Sequence, residues 1–494
     1  MLRIARIALT LLAMACSSRS PAPPEPPGPR PIAAAVADAA VDAADPELAR
    51  RKLDGWLAVF NGGKRDEILA FRERELSDEF RKNLPGPEGM MRFRATIGGF
   101  DVVRVEETTP IRASVLVKER ESDQIARVVV ELDPAPPHRI TNVVVRGVAA
   151  PEDLAPARMS EADALAALRA ELDKAAAADK FSGAVAIAKQ GKIIFREARG
   201  MADRDAKVAN TVDTRFRIGS MNKMFTATAV LQLVQAKKLA LDQPIGKVLT
   251  DYPNATLASK VTPHHLLTHT GGTGDIFGPE FDTHRLELKT LADYVKLYGK
   301  RDLAYEPGAR WEYSNYGFLL LGVIVERVTR QTYYDRVAAT IFKPAGMTGT
   351  SSPIEGTVTR GRVVAYTRDT PDAPWTSAAD TLPIRATSAG GGDSTVVDLI
   401  AFANALQSHK ILDAKHVELL TTGKIDNPRG KYAYGFVDST ENGVRCVGHG
   451  GGAPGMNGEL AICDSGYTIA VLSNLDPPAA SRIADFIKAR LPAR

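Results

Sequence analysis

From about Met159 to the C-terminus, apolar strand-like stretches stand at both ends of a long run whose middle is helical. That placement narrows the fold more than any other feature. Gly183–Lys189 and Lys192–Glu197 read as a hairpin around Gln190-Gly191, with Val185 and Ile187, then Ile194 and Phe195, apolar. Thr468–Asn474 is a continuous apolar run of strand length, and Ala480–Leu491 reads as a last helix. Strands at both ends cover their edges and faces if the two ends meet in one antiparallel sheet. The expected class is therefore α/β in the α+β sense: an antiparallel sheet with a helical domain, over residues 149–494.

The residues ahead of this run divide into three parts. Arg3 and Arg6 precede the apolar run Ile7–Ala15, too short to span a bilayer, which takes about 20 apolar residues. Ala13 and Ala15 are small residues at the positions a signal peptidase reads, so 1–15 is expected to be a removed signal. Ala13-Met14-Ala15-Cys16 resembles a bacterial lipoprotein signal, in which the cysteine becomes the lipidated first residue, although such signals usually carry Leu where Ala13 stands. The resemblance implies an exported, periplasmic protein that meets the membrane only through a lipid on Cys16. Residues 16–46 are rich in proline and then alanine, a tether favouring extended polyproline II.

Residues 47–148 read as a small α+β domain. Leu53, Trp56, Leu57 and Phe60 recur at helical spacing until Asn61-Gly62-Gly63, and a second amphipathic piece runs from Arg65 to Phe71. After Gly98-Gly99 the period becomes two: Val102, Val103 and Val105; Ala113, Val115 and Val117; Val128, Val130 and Leu132; Ile140, Val143 and Val145. Helices followed by such a meander, with the phrases W-L-A-V-F-N-G-G-K and G-G-F-D-V-V-R-V-E-E, resemble the cystatin-like roll of nuclear-transport-factor-two and SnoaL-type domains. With no concentrated set of acids, bases or metal ligands, this roll is expected to be an accessory domain.

Charge and cysteine content remove whole classes of function. The formal net charge is +4, which gives no electrostatic reason to expect a nucleic-acid partner. Three cysteines exclude a disulfide-rich scaffold and a four-cysteine zinc site. In an oxidising compartment Cys446 and Cys463 are the pair left after Cys16, and they flank the Gly450–Asn457 loop in strand-like stretches. If those strands pair antiparallel, the two cysteines face each other and are expected to bridge.

Three motifs carry chemistry. Ser220-Met221-Asn222-Lys223 follows the strand-like Arg215–Gly219 and opens a helix with Phe225, Ala229, Leu231, Leu233 and Val234 apolar. Residues three apart on a helix share a face with a rise of about 4.5 Å, so Lys223 can approach the Ser220 hydroxyl. The positive dipole end at a helix start stabilises developing negative charge and favours the neutral amine, a usable base for a weak serine nucleophile. Tyr313-Ser314-Asn315 precedes the apolar helix Phe318–Val325. Its phenol can relay a proton and its amide can meet a substrate acyl group, although alone the motif also fits a packing tyrosine and an N-cap asparagine. In Gly448-His449-Gly450-Gly451-Gly452, glycines let a strand approach substrate closely enough for its N–H groups to act as oxyanion donors.

Ser-x-x-Lys, then Tyr-x-Asn about ninety residues on, then His-x-Gly before the last strand and helix, form a specific ordered set. The set resembles the penicillin-recognising serine hydrolases: class C β-lactamases, D-Ala-D-Ala carboxypeptidases, and related esterases and D-amino-acid amidases. Leu266–Gly272, Ser388-Ala389-Gly390-Gly391 and Pro454-Gly455 reinforce it. The resemblance implies that Ser220 is acylated and that Lys223 and Tyr313 share its proton. Asn315, His449 and Gly451 would meet substrate, and the Ser220 and Gly452 N–H groups would form the oxyanion hole. It implies neither metal nor cofactor, and a small-molecule or peptidoglycan-derived peptide, ester or β-lactam as substrate. The alternative is a penicillin-binding receptor that acylates without turnover, or a binding protein acting through its roll.

His449 stands where many β-lactamases carry lysine. With an ordinary pKa near 6.5 it is mostly neutral at pH 7, and any carboxylate binding by it would weaken as pH rises through that value. His265 and His269 stand four apart, but a zinc-protease helix would need Glu at Leu266, so His269 is expected to be structural.

Overall fold

The computed structural model describes residues 45–493 except 358, 371, 372 and 382; the expected signal, Cys16 and the tether as far as residue 44 lie outside the described residues. The chain divides into two compact units. The described residues up to Pro156, with Asp369–Ala373 grouped with them, form the first; Ala157–Arg368 and Pro374–Arg494 form the second. Among the described residues no helix is long and apolar enough to cross a membrane.

The first unit is built from four helices, Leu48–Gly62, Arg65–Glu75, Asp78–Lys82 and Pro87–Ile97, ahead of a four-stranded antiparallel meander. The first helix stops where a left-handed residue takes over, Gly63 at φ 67°, whose N–H reaches back to the Val59 carbonyl. Leu53, Leu57 and Phe60 pack on Val115, Val117, Val128 and Val130 of the two central strands, Arg112–Glu119 and Ile125–Leu132. The edge strand Phe100–Thr108 departs from strict alternation. Register shifts fall between Val102 and Arg104 and between Val105 and Glu107, and on this edge strand Val102 and Val105 are both exposed. An inserted residue moves the following side chains to the opposite face, which a two-residue period cannot anticipate.

In the second unit both chain ends do enter one sheet. Its eight strands run in the order Ile425–Asn427, Gly430–Tyr432, Val437–Glu441, Val444–Ala453, Met456–Cys463, Tyr467–Ser473, Gly183–Lys189 and Lys192–Arg199. The last strand of the chain pairs antiparallel with the first of this unit, Ile469 opposite Ile187. Gln190 and Gly191, both at positive φ, make the tight turn of the hairpin. Alternation along Gly183–Lys189 sorts the two cores. Val185 and Ile187 face helices Glu161–Ala177 and Ala479–Arg490, meeting Leu168, Leu172, Ile483 and Ile487. Ala184, Ala186 and Ala188 face the helical middle of the chain, where their small side chains leave room for the helix Val396–Gln407.

Cys446 stands directly opposite Cys463 in the ladder, and the two are joined by a disulfide. The bridge closes a sequence separation of 17 residues around the glycine-rich hairpin. A loop of about 15 residues corresponds to about 3 kcal/mol on the chain-entropy account. Replacing both cysteines with alanine is expected to lower unfolding stability by about that amount, read from denaturant titration. Two reactive thiols from this pair in the unreduced protein would contradict the bridge.

Candidate active site

The site begins with a tight passage of backbone. Strand Phe216–Arg217 pairs with Asp393–Ser394, and the chain then turns through Gly219–Met221 into the helix Asn222–Gln235. Gly219 has φ 53°, which disfavours any side chain, and a Cβ there would lie 3.1 Å from Met456 Sδ and 3.3 Å from the Gly452 nitrogen. The strand Val444–Ala453 causes the crowding: a Cβ on Gly451 would sit 2.0 Å from the Ile218 carbonyl oxygen. Only glycines let these two backbones touch. Their contact brings the Gly452 amide nitrogen beside the Gly219-Ser220 peptide, where the two oxyanion donors are expected.

One helical turn on, Lys223 Nζ returns to Ser220 and donates to its Oγ at 3.2 Å. The amine is wholly buried and donates also to Asn315 Oδ1 at 2.7 Å and to the Ala389 carbonyl. It lies 4.6 Å from the centroid of the Tyr313 ring. The Tyr313 hydroxyl donates to Ser220 Oγ at 2.8 Å. Lys223, Tyr313 and Asn315 are buried, whereas Ser220 is half-buried and is the member of this group that an incoming molecule can reach.

The helix also holds the far wall. Asn222 Nδ2 donates to the Thr387 carbonyl at 2.6 Å and Thr226 Oγ1 to the Ser388 carbonyl at 2.7 Å, while Lys223 takes the Ala389 carbonyl. The three successive carbonyls of Thr387, Ser388 and Ala389 are thus held by three residues of one helix. That is why polar side chains stand on a helix that is otherwise core.

Asn315 opens the helix Asn315–Thr329 but is not its cap. Ser314 caps it, its Oγ accepting the Gly317 N–H at 2.9 Å. The Asn315 side chain instead lies between Lys223 and Asp275, with its Nδ2 donating to Asp275 Oδ2 at 3.2 Å.

His269 follows its short helix in the left-handed region, φ 58°, and clamps the loop that carries Tyr313. Its carbonyl accepts the Glu312 N–H at 2.9 Å and its Nδ1 accepts the Ser314 N–H at 3.1 Å. The imidazole lies against the Tyr313 ring, centroids 4.3 Å apart. Burial and the charge on Lys223 hold it neutral, well below the ordinary histidine value. His265 turns its Nδ1 to the Thr262 N–H, closing a capping box. Each histidine of the four-apart pair is thus occupied with backbone.

The structure places His449 differently from a carboxylate-facing imidazolium. The ring is 3% exposed, with Nε2 3.1 Å from the Tyr432 hydroxyl and Nδ1 on the Gly450 carbonyl. A carbonyl only accepts, so Nδ1 carries the proton and Nε2 accepts from Tyr432. Burial, with the positive charge of Lys223 second, pushes its pKa down to about 3, so the ring is neutral at pH 7. It supports Tyr432 and the glycine strand with both nitrogens.

Asp275 and Tyr432 were not among the residues the sequence marked. Asp275 sits in a loop with no periodicity, and Tyr432 in Lys431-Tyr432-Ala433-Tyr434, where nothing separates it from a packing aromatic. Only the ladder register, Tyr432 beside Val437 and Val437 beside Gly448, brings the phenol next to His449.

Comparison with known proteins agrees with this fold. Residues 168–494 match the family model described as Beta-lactamase. Esterase EstB of Burkholderia gladioli is 36% identical over 203 residues, 38% of this chain and 52% of the esterase, so the match spans about half of that relative's length. Penicillin-binding protein 4* of Bacillus subtilis (strain 168) is 28% identical over 315 residues, covering 60% of this chain and 68% of that protein. Among solved structures, the penicillin binding protein from Bacillus halodurans superposes with a TM-score of 0.59 at 29% identity, covering 66% of this chain and 99% of that one.

Proposed function

This chain belongs to the beta-lactamase family, and we propose that it is a serine hydrolase that cleaves a neutral ester or amide through a Ser220 acyl-enzyme. The observation that carries the proposal is the convergence of Tyr313 and Lys223 on the Ser220 hydroxyl, at 2.8 and 3.2 Å. Ser220 Oγ attacks the carbonyl carbon with Lys223 in its neutral amine form; the lysine nitrogen, 3.2 Å from Oγ, takes the serine proton while the Tyr313 hydroxyl bonds the same oxygen. Negative charge gathers on the carbonyl oxygen beside the Ser220 and Gly452 amides, and the same pair returns the proton to the leaving alcohol or amine. Water then repeats the sequence on the acyl-enzyme and frees the acid. Similarity to an esterase supports an ester as substrate, and similarity to a penicillin-binding protein supports acylation by an amide-type carbonyl.

The preference for neutral substrates follows from His449. With its ring neutral and both nitrogens engaged, His449 itself offers no positive charge to a substrate carboxylate. The proposal extends to location: an exported periplasmic lipoprotein, anchored through Cys16, with the N-terminal unit as an accessory domain.

Intact-protein mass spectrometry tests this after exposure to a neutral 4-nitrophenyl ester, a D-Ala-D-Ala peptide and a penicillin. Transient acylation with steady turnover of the ester is expected, with the ester-to-penicillin ratio constant from pH 5 to 8 because His449 does not titrate there. His449→Lys is expected to raise penicillin activity relative to ester. An adduct that persists with every probe would replace the enzyme with a receptor.

A further inference from the structure

Asp275 is an acid that the acyl-transfer steps leave unused, yet one side chain separates it from Lys223. Its Oδ1 accepts the N–H groups of Ile276 at 2.8 Å and Asn315 at 3.0 Å, and its Oδ2 accepts Asn315 Nδ2 at 3.2 Å. The loop that carries it is anchored twice. Arg301 donates to the Asp275 carbonyl at 2.8 Å, and Ser314 Oγ donates to the Gly274 carbonyl. Burial raises the carboxyl above its ordinary value, opposed by these N–H donors and by the charge of Lys223.

The chemistry of the three groups leaves one arrangement. A carboxylate only accepts, and Lys223 turns N–H groups to Asn315 and the Ala389 carbonyl whether its amine is neutral or charged, whereas an asparagine amide has one accepting end and one donating end. Between Asp275 and Lys223 the Asn315 amide must therefore turn its NH2 to the acid and its oxygen to the amine. Reversing it would set the carbonyl against a carboxylate and the NH2 against the lysine, two repulsive contacts in a buried place. In the arrangement observed, one of the two amide hydrogens goes to Asp275 and the other remains for a substrate carbonyl.

We propose that Asp275 is a positioning residue for acylation, orienting the Asn315 amide so that its oxygen holds Lys223 and its second N–H meets an amide carbonyl on the acyl side of the substrate. This rests on the hydrolase reading above and adds to it the acid that sets the Asn315 amide.

The experiment is a double-mutant cycle of Asp275→Asn with Asn315→Ala, read with two esters. One is N-acetyl-D-alanine 4-nitrophenyl ester, which carries an acyl-side amide; the other is 4-nitrophenyl acetate, which has none. In the wild-type background Asp275→Asn is expected to lower kcat/KM on the amide-bearing ester by about tenfold or more, the scale of one lost hydrogen bond, and on the acetate by less. In the Asn315→Ala background the same change is expected to cost under about twofold, because its route to the substrate is gone. A role confined to starting the helix would instead lower Tm alike in both backgrounds and leave the two esters equally affected. An undiminished loss in the Asn315→Ala background, or no loss in the wild type, overturns the proposal. If Asp275→Asn does not fold, Asp275→Ser enters the same cycle under the same criteria. A wild-type protein that turns over neither ester and takes no label at Ser220 refutes the hydrolase reading and this inference with it; wild-type turnover with an unaffected Asp275→Asn refutes this inference alone.

Discussion

Ser220→Ala is expected to abolish ester hydrolysis and all labelling by a serine-directed phosphonate, while far-UV circular dichroism stays unchanged. Removing the nucleophile of a serine hydrolase lowers kcat on the order of 10⁶-fold, because the remaining groups have no covalent route to assist. The fold tolerates the change because Ser220 is small and half-buried, and its turn is set by Gly219 and its neighbours rather than by its own hydroxyl. Labelling that survives in Ser220→Ala would place the nucleophile elsewhere and remove the centre of the proposed mechanism.

Lys223→Met should lower the rate of acylation by about 10²–10⁴, the usual span of general-base assistance. Methionine keeps most of the buried volume, which matters because Lys223 is wholly enclosed. The substitution still leaves two buried acceptors, Asn315 Oδ1 and the Ala389 carbonyl, without their donor, each at a cost of about 1–3 kcal/mol. Rates therefore have to be taken on protein shown to be folded at the assay temperature. Tyr313→Phe is expected to act on the same proton, since both groups bond to the same oxygen. The double variant should then be no slower than the worse single one by more than a small factor. Losses that multiply in single-turnover acylation rates would mean that lysine and tyrosine serve separate steps.

Much of the fold could be read along the chain because local patterns carried it. Alternation marked Val185 and Ile187, and the turn pair Gln190-Gly191 marked the hairpin that joins the sheet to its last strand. Helical spacing from Leu53 to Phe60 and the glycines after it set the end of the first helix within a residue. Where a bulge intervened, as after Val102, the pattern failed, since one added residue reverses every face that follows. The short helices Asp78–Lys82 and Pro87–Ile97 also went unmarked: the first has no buried residue and the second only Pro87 and Ile97, too few to make a period.

The residues with chemistry show the same division more sharply. Ser220 and Lys223 are three apart on one helix, so their approach follows from helical rise, and the residue order alone sufficed for it. Tyr313, Asn315 and the glycines at 450–452 could be named from their motifs, but their meeting depends on packing across nearly the whole second unit. The charge of His449 was a matter for the folded protein, because an imidazole titrates according to its solvent exposure and its neighbours. In water it would ionise near 6.5; enclosed with Tyr432, Gly450 and the Lys223 charge, it is neutral. Asp275 had no pattern at all. Its position against Asn315 comes from a loop folded back on a helix start forty residues later, and such a contact has no period to betray it. Short-range geometry determined the elements and the nucleophile with its nearest base, whereas burial and long-range contact, which exist only once the chain has closed, decided the protonation and orientation of the groups around them.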